Sequence, residues 1–399
     1  MTGFDAARLA RVHEVVADHV AKGNSGGVAW LAARDGQVEV GTAGTLTRGE
    51  DRAVARDTLF RIASMTKPMT AVAALILVEE CRLRLDEPVN AWLPELADRR
   101  VLVDRSGRLD GPTVPATRPL SLRDLLDFRC GLGLDFDGGW PQPLFEAMGE
   151  LGLGSGPPEP QVPPEPDEWM RRVSTLPLLC QPGERWLYNT GSDLLGVLIA
   201  RAAGQPLDAF MRERVFEPLG MVDTGFFTSE VARRGSCYGV DPATGERSVY
   251  DPPDGQWSRP PAFPSAGGGL VSTVDDVHAF GRMLLDNGRL PDGSRLLSPA
   301  SVAVMTTDQI GVERGASGPT PDGSQGWGFG VSVQVRRAGV ARSVGSYGWD
   351  GGLGTSWAND PHERIVGVVL TTDMFTGAYP PPAVIQDFWT SVYVSLSAA

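Results

Sequence analysis

Phe60-Arg61-Ile62-Ala63-Ser64-Met65-Thr66-Lys67-Pro68-Met69-Thr70-Ala71-Val72-Ala73-Ala74-Leu75-Ile76-Leu77-Val78-Glu79-Glu80 is the stretch on which the fold turns. A short extended approach leads to a serine at a helix start. A lysine follows one turn later, and from Ala71 to Val78 there is no polar residue. A helix that is apolar all round is a buried one. Three residues apart, Ser64 and Lys67 share one face of its first turn. A neutral hydroxyl is a poor nucleophile without an adjacent base, and an amine held beside it supplies one. Pro68 fits this placement, because early in a helix its missing N–H costs little.

The composition singles out the same amine. Of 36 basic residues only Lys22 and Lys67 are lysines. A guanidinium keeps its proton, so only an amine can serve as the base. Burial and the positive end of the helix both lower a lysine's pKa. The net charge of −13 argues against nucleic acid or an anionic membrane surface as partner. At 399 residues the chain exceeds the usual single-domain size. Met1-Thr2-Gly3-Phe4-Asp5 lacks the basic-then-apolar pattern of a secretion signal. No apolar run approaches the ~18 residues that span a bilayer. A cytoplasmic protein with no membrane partner is expected.

Cys81, Cys130, Cys180 and Cys237 form no C-x-x-C pair and read as reduced core residues. His13, His19, His278 and His362 form no ligand pattern, and His13 and His19 fall on the solvated face of a helix. Neither a metal nor a cofactor is expected.

Working outward, Phe4, Leu9, Val12, Val15, Val16 and Val20 have helical spacing over residues 4–22. Val28 to Ala33 and Gln37 to Thr42 read as a hairpin about Asp35-Gly36. Gly23-Asn24-Ser25-Gly26-Gly27 fits the G-x-S-x-G pattern, but with a helix before and a strand after, the reverse of a nucleophile elbow. It reads as a loop. Ser121 caps a helix by accepting from the Asp124 amide. Residues 131–166 turn to glycine, proline and acid, and read as a long excursion over the mouth of a site. Ser192 to Ala203 is a second apolar helix, Leu207 to Phe216 a third helix, and residues 228–262 read as irregular. Gly267-Gly268-Gly269 lacks the Gly-Lys-Ser/Thr of a phosphate loop and reads as a close backbone approach. Four strands, 329–335, 344–349, 355–358 and 365–372, and a helix over 382–396 complete the chain. The architecture expected is α/β plus all-α: an antiparallel sheet built from both chain ends, flanked by helices, with an inserted helical lobe. The expected division is 1–75 for the first part of the α/β lobe, 76–265 for the mainly helical lobe, and 266–399 for the second part of the α/β lobe.

Taken in order, Ser64-x-x-Lys67, the Trp186-Leu187-Tyr188 segment and Trp349-Asp350-Gly351 resemble the serine β-lactamase and penicillin-recognising superfamily. The likeness is to its class C β-lactamase and family VIII carboxylesterase side, and extends from about Gly27 to Asp373. The resemblance implies that Ser64 is acylated, that Lys67 is its base, and that Tyr188 shares their network and passes a proton to the leaving group. It implies an oxyanion hole from the amides of Ser64 and Gly352. Two departures bear on substrate. The family's Tyr-x-Asn is here Tyr188-Asn189-Thr190, and its Lys-Thr-Gly is Trp349-Asp350-Gly351. Efficient β-lactam turnover is therefore not expected. Asp350 points to a neutral ester or one bearing an amine. Trp349, Asp350, Gly351, Asn189 and Trp140 are the expected substrate-binding residues. The expected activity is a carboxylesterase working through an acyl-enzyme on a small-molecule ester or amide. An acyltransferase handing the acyl group to an amine or alcohol is the second reading, and an amidase or D-amino-acid peptidase the third.

Overall fold

The computed structural model describes residues 3–105, 108–139, 142–311, 318–377 and 380–397. Seven strands form an antiparallel sheet: β1 Gly27–Arg34, β2 Gln37–Gly44, β3 Gln325–Trp327, β4 Ser332–Gln334, β5 Tyr347–Gly351, β6 Thr355–Asp360 and β7 Ile365–Thr371. Their order is β2-β1-β7-β6-β5-β4-β3. The two ends of the chain meet where β1 pairs with β7, from Val28 opposite Thr371 to Arg34 opposite Ile365. The hairpin about Asp35-Gly36 closes with Arg34 opposite Gln37.

Every residue of β1 is buried, because both faces of the sheet are covered. Side chains alternate across a strand. Ala29, Leu31 and Ala33 accordingly join the large inner core, while Val28, Trp30 and Ala32 join an outer one. The outer core lies beneath α1 (Ala6–Ala21) and the last helix, α5 (Ala383–Val394), which pack on one another. On the inner side are α2 (Thr66–Glu79), α3 (Thr190–Ala203) and α4 (Val274–Leu285). In α2 every residue from Thr66 to Leu77 is buried, as its uninterrupted apolar run requires. It packs against α3, while α4 covers β6 and β7. Ser121 forms a reciprocal capping box with Asp124. Among the described residues no single helix is long and apolar enough to cross a membrane.

Several expectations are corrected. The strand expected over 329–335 is confined to Ser332–Gln334, because the chain doubles back through Gly328-Phe329-Gly330 and pairs Ser332 with Trp327 of a preceding strand that was not expected. Residues 228–262 contain a hairpin, Cys237–Val240 with Arg247–Asp251. Its turn is tied by Asp241 Oδ1, which accepts from the amides of Ala243 and Thr244. Within the 131–166 excursion, Pro143–Glu150 is helical. His19 is buried against α5, where Nε2 lies 2.8 Å from Asp387 Oδ2. All four cysteines are free thiols, but Cys81 is exposed at the end of α2. Ser25 lies in the loop before β1, with Oγ 3.2 Å from Asp373 Oδ2, and takes no part in the site.

Candidate active site

Ser64 lies in a tight turn, Ala63–Met65, that feeds α2. Ala63 has φ +44°, a left-handed conformation costly for a residue with a Cβ. Such strain persists only where the surroundings over-determine it, and they do. Thr66 Oγ1 donates to the Ala63 carbonyl at 2.6 Å, the Ile62 amide donates to Leu270 at 3.0 Å, and Thr355 Oγ1 donates to the Ile62 carbonyl at 3.0 Å. The end of β5 presses on the same turn. A side chain at Gly351 would collide with the Ile62 carbonyl oxygen, so only glycine allows that approach.

The Lys67 amine is 3.0 Å from Ser64 Oγ, 2.7 Å from Asn189 Oδ1 and 2.5 Å from the Gly267 carbonyl oxygen. The two carbonyl oxygens can only accept. A neutral amine has two N–H bonds and one lone pair. The carbonyls take both N–H bonds, and the lone pair is left facing the Ser64 hydroxyl. Burial lowers the pKa of Lys67 from 10.5 to about 7, opposed by the charge of Asp193. Asp193 touches the site through the backbone: it accepts from the Gly267 amide at 3.1 Å and from Ser265 Oγ at 2.8 Å. Burial pushes its own carboxyl pKa up. A side chain at Gly267 would crowd Asn189 and Asp193, which accounts for the first residue of the tri-glycine.

The Tyr188 ring lies beneath the Lys67 ammonium position, 4.6 Å from Nζ to ring centre. Its hydroxyl accepts from Trp349 Nε1 at 2.7 Å and shares a hydrogen bond with Ser64. Burial drives the phenol pKa well above its ordinary value, so the hydroxyl keeps its proton. Phe128, Phe136, Trp186, Trp327 and Trp349 surround it, with ring centres between 5.1 and 6.3 Å away. Phe128, Phe136 and Trp327 come from distant segments with no motif of their own, so the sequence analysis missed them.

Ser64, Lys67 and Tyr188 are thus brought into one constellation, with Trp349 against Tyr188. Ser64 and Gly352 both line the cleft. Asn189, expected to contact substrate, lines the cleft and also gives its side-chain oxygen to Lys67, from a left-handed backbone at φ +83°. Thr190, which holds the family's asparagine position, turns away and donates to Met148 Sδ at 3.8 Å. Asp350 is not bare: Ser356 Oγ donates to it at 2.5 Å, and Arg342 lies 3.8 Å away. Trp140 lies outside the described residues. Among the described residues no group of three or more His, Cys, Asp or Glu gathers to hold a metal.

The site opens into a cleft of about 1040 Å³. One wall is the predicted excursion, with Phe136, Phe145, Leu153 and Pro157 to Pro160. The 338–342 loop and the start of α5, including Gln386 and Trp389, also line the cleft.

The chain is similar to Protein Rv1367c of Mycobacterium tuberculosis (strain ATCC 25618 / H37Rv), 40% identical over 328 residues, covering 79% of this chain and 77% of that protein. It is similar to Esterase EstB of Burkholderia gladioli, 33% identical over 404 residues, covering 95% and 94%. Among solved structures it superposes on EstCE1, described as a hydrolase with promiscuous acyltransferase activity. That match has a TM-score of 0.80 at 26% identity, covering 97% of this chain and 99% of that one. The family described as Beta-lactamase matches residues 12–386, and the chain belongs to it.

Proposed function

We propose that this chain is a carboxylesterase working through an acyl-enzyme on Ser64. The observation that carries the reading is the Lys67 amine, 3.0 Å from Ser64 Oγ with both remaining N–H positions occupied by carbonyls. In the acylation step Lys67 takes the Ser64 proton as Oγ attacks the ester carbonyl carbon. The amides of Ser64 and Gly352 hold the oxyanion that forms, as donors already aimed at the charge that develops. Tyr188 hands its proton to the departing alkoxide and is reprotonated from the Lys67 ammonium. Lys67, neutral again, takes a proton from water as the water oxygen attacks the acyl carbon, and that proton passes to Ser64 Oγ as the acyl–oxygen bond breaks. The products are an acid and an alcohol.

A second reading, transfer of the acyl group to an amine or alcohol, draws support from the apolar and proline-rich wall over Ser64, which limits water around the acyl-enzyme. Intact-mass spectrometry after a fluorophosphonate probe tests the first step: wild type gains one adduct and Ser64→Ala gains none. Equal labelling of the two would sink the acyl-enzyme reading. Release of p-nitrophenol from p-nitrophenyl butyrate, with products followed in the presence of added amines or alcohols, separates hydrolysis from transfer.

A further inference from the structure

Asp350 suggests, in the sequence alone, a substrate that is neutral or cationic. A neighbour of Asp350 alters that expectation. Among the described residues that line the cleft, Arg342 alone carries a permanent positive charge. Its guanidinium carbon lies 4.4 Å from the centre of the Trp389 ring, packed over an aromatic face. Its backbone has φ +41°, a left-handed conformation that a residue with a Cβ adopts only when held there. The next residue supplies a tie, since the Ser343 amide donates to Asp360 Oδ2 at 2.9 Å.

The polar contacts form one chain. Trp389 Nε1 donates to Ser356 Oγ at 2.9 Å, and Arg342 Nη2 donates to the same oxygen at 3.3 Å. Ser356 Oγ in turn donates to Asp350 Oδ1 at 2.5 Å. At 3.8 Å the Arg342–Asp350 pair is an ion pair without a hydrogen bond. A guanidinium has five N–H donors. Among the described residues Arg342 uses one hydrogen bond, to Ser356. The head group is therefore fixed in position with most of its donors unassigned, beside a cleft that contains the nucleophile.

The loop that carries Arg342 has the same sign. The loop Arg336-Arg337-Ala338-Gly339-Val340-Ala341-Arg342 has three arginines and no acid, in a chain of net charge −13. Arg336 is turned to Asp322, and Arg337 is exposed. Part of the cleft of an acidic protein is thus lined by a loop whose own charges are positive, which favours an anion there.

We infer that Arg342 is a substrate-binding residue that recognises a carboxylate on the ester, away from the scissile bond. A planar guanidinium fork matches a carboxylate with two parallel hydrogen bonds. Asp350 balances part of the charge, which suits a monoanion and disfavours a dianionic phosphate. This inference rests on the acyl-enzyme reading of Ser64 and adds to it the class of substrate.

The test uses two pairs of esters, each a free carboxylate and its methyl ester. 4-Nitrophenyl glutarate places the charge on the acyl side, and 3-(butanoyloxy)benzoate places it on the alcohol side. In at least one pair, wild type favours the carboxylate in kcat/KM by about tenfold or more, as expected for a hydrogen-bonded charge, with the gain in KM. The preference shrinks as salt is raised. Arg342→Gln lowers kcat/KM for the carboxylate far more than for its methyl ester, so that the preference is lost, while Arg342→Lys keeps part of it. The inference is overturned if neither pair shows a preference, or if Arg342→Gln lowers charged and uncharged esters alike. Ser64→Ala separates the two readings. Turnover that survives it overturns the acyl-enzyme, whereas a missing preference with Ser64 still essential overturns only the role of Arg342.

Discussion

Arg61 and Lys67 flank Ser64 in the chain, and both cations are buried, yet their surroundings differ in kind. Arg61 Nε donates to the Asp251 carboxylate at 2.6 Å, and its other nitrogens donate to the carbonyls of Gly235 and Pro252, each at 2.8 Å. Lys67 meets two carbonyls and a hydroxyl, and among the described residues no carboxylate bonds to it. A buried charge is tolerated when it is paired and hydrogen-bonded. An unpaired one sheds its proton instead. Arg61 is therefore built to stay charged and to pin the nucleophile turn to the 237–251 hairpin. Lys67 is built to lose its proton near neutral pH. Burial lowers the pKa of the Lys67 amine, while Asp251 pairs with the Arg61 guanidinium, and that difference separates a base from a structural cation.

The hardest way to break that contrast is to remove the base. Lys67→Met keeps much of the length of the side chain and abolishes proton transfer. The expected loss in kcat is about 10²- to 10⁴-fold, the usual range for a general base. Ester turnover is the readout, with circular dichroism checking that the fold is kept. A residual rate close to wild type would mean that Lys67 is not the base.

The structural cation should fail differently. Arg61→Met leaves Asp251 buried without its partner, and losing one half of a buried pair costs about 3–5 kcal/mol. Urea unfolding measures this. Replacing both residues, as Arg61→Met with Asp251→Asn, should recover much of the loss, because no uncompensated charge remains. A double variant as unstable as the single one would show that Arg61 acts through its carbonyl contacts alone.

A milder probe is pH. The folded pKa of Lys67 is about 7 and its ordinary value is 10.5, so between these the unfolded chain holds the extra proton. Stability should then rise with pH across that window, by up to about 1.4 kcal/mol per unit, and this slope should vanish in Lys67→Met. The acid limb of kcat/KM should fall near pH 7, because only the neutral amine accepts a proton. Asp193 raises the pKa of Lys67. Asp193→Asn should move the limb to lower pH; a shift upward would contradict the assignment.

The same contrast explains what could be read from sequence. The α2 stretch was legible because its apolar run and its lone buried lysine are local features. So were the hairpin at Asp35-Gly36 and the cap at Ser121, whose signals lie within a few residues of one another. The acceptors that tune Lys67 were not. Asn189 reaches it only through a left-handed backbone, one position before the place where the family pattern puts its asparagine. Gly267 contributes a main-chain carbonyl, which carries no sequence signature beyond the glycine itself. Asp251 was hidden because proline-rich flanks mask its strand. Arg342 and Trp389 meet across distant segments, so Asp350 looked unbalanced when read alone.

The smallest expected effect concerns Tyr188, the partner that Arg61 lacks altogether. Trp349 Nε1 fills one lone pair of the phenol oxygen, which leaves the O–H to point toward Ser64. Trp349→Phe keeps an aromatic ring against Tyr188 and Trp327 but deletes that donor. A neutral hydrogen bond of this kind is worth about 1 kcal/mol, so kcat should fall several-fold. KM for a small neutral ester should change little, because the loss lies in aiming a proton and not in holding the ester. If Trp349→Phe raised KM and spared kcat, Trp349 would be a wall of the substrate cleft and nothing more. A fall in kcat alone would make it the residue that orients Tyr188, and would place the Trp349-Asp350-Gly351 triplet in proton delivery as well as in substrate choice.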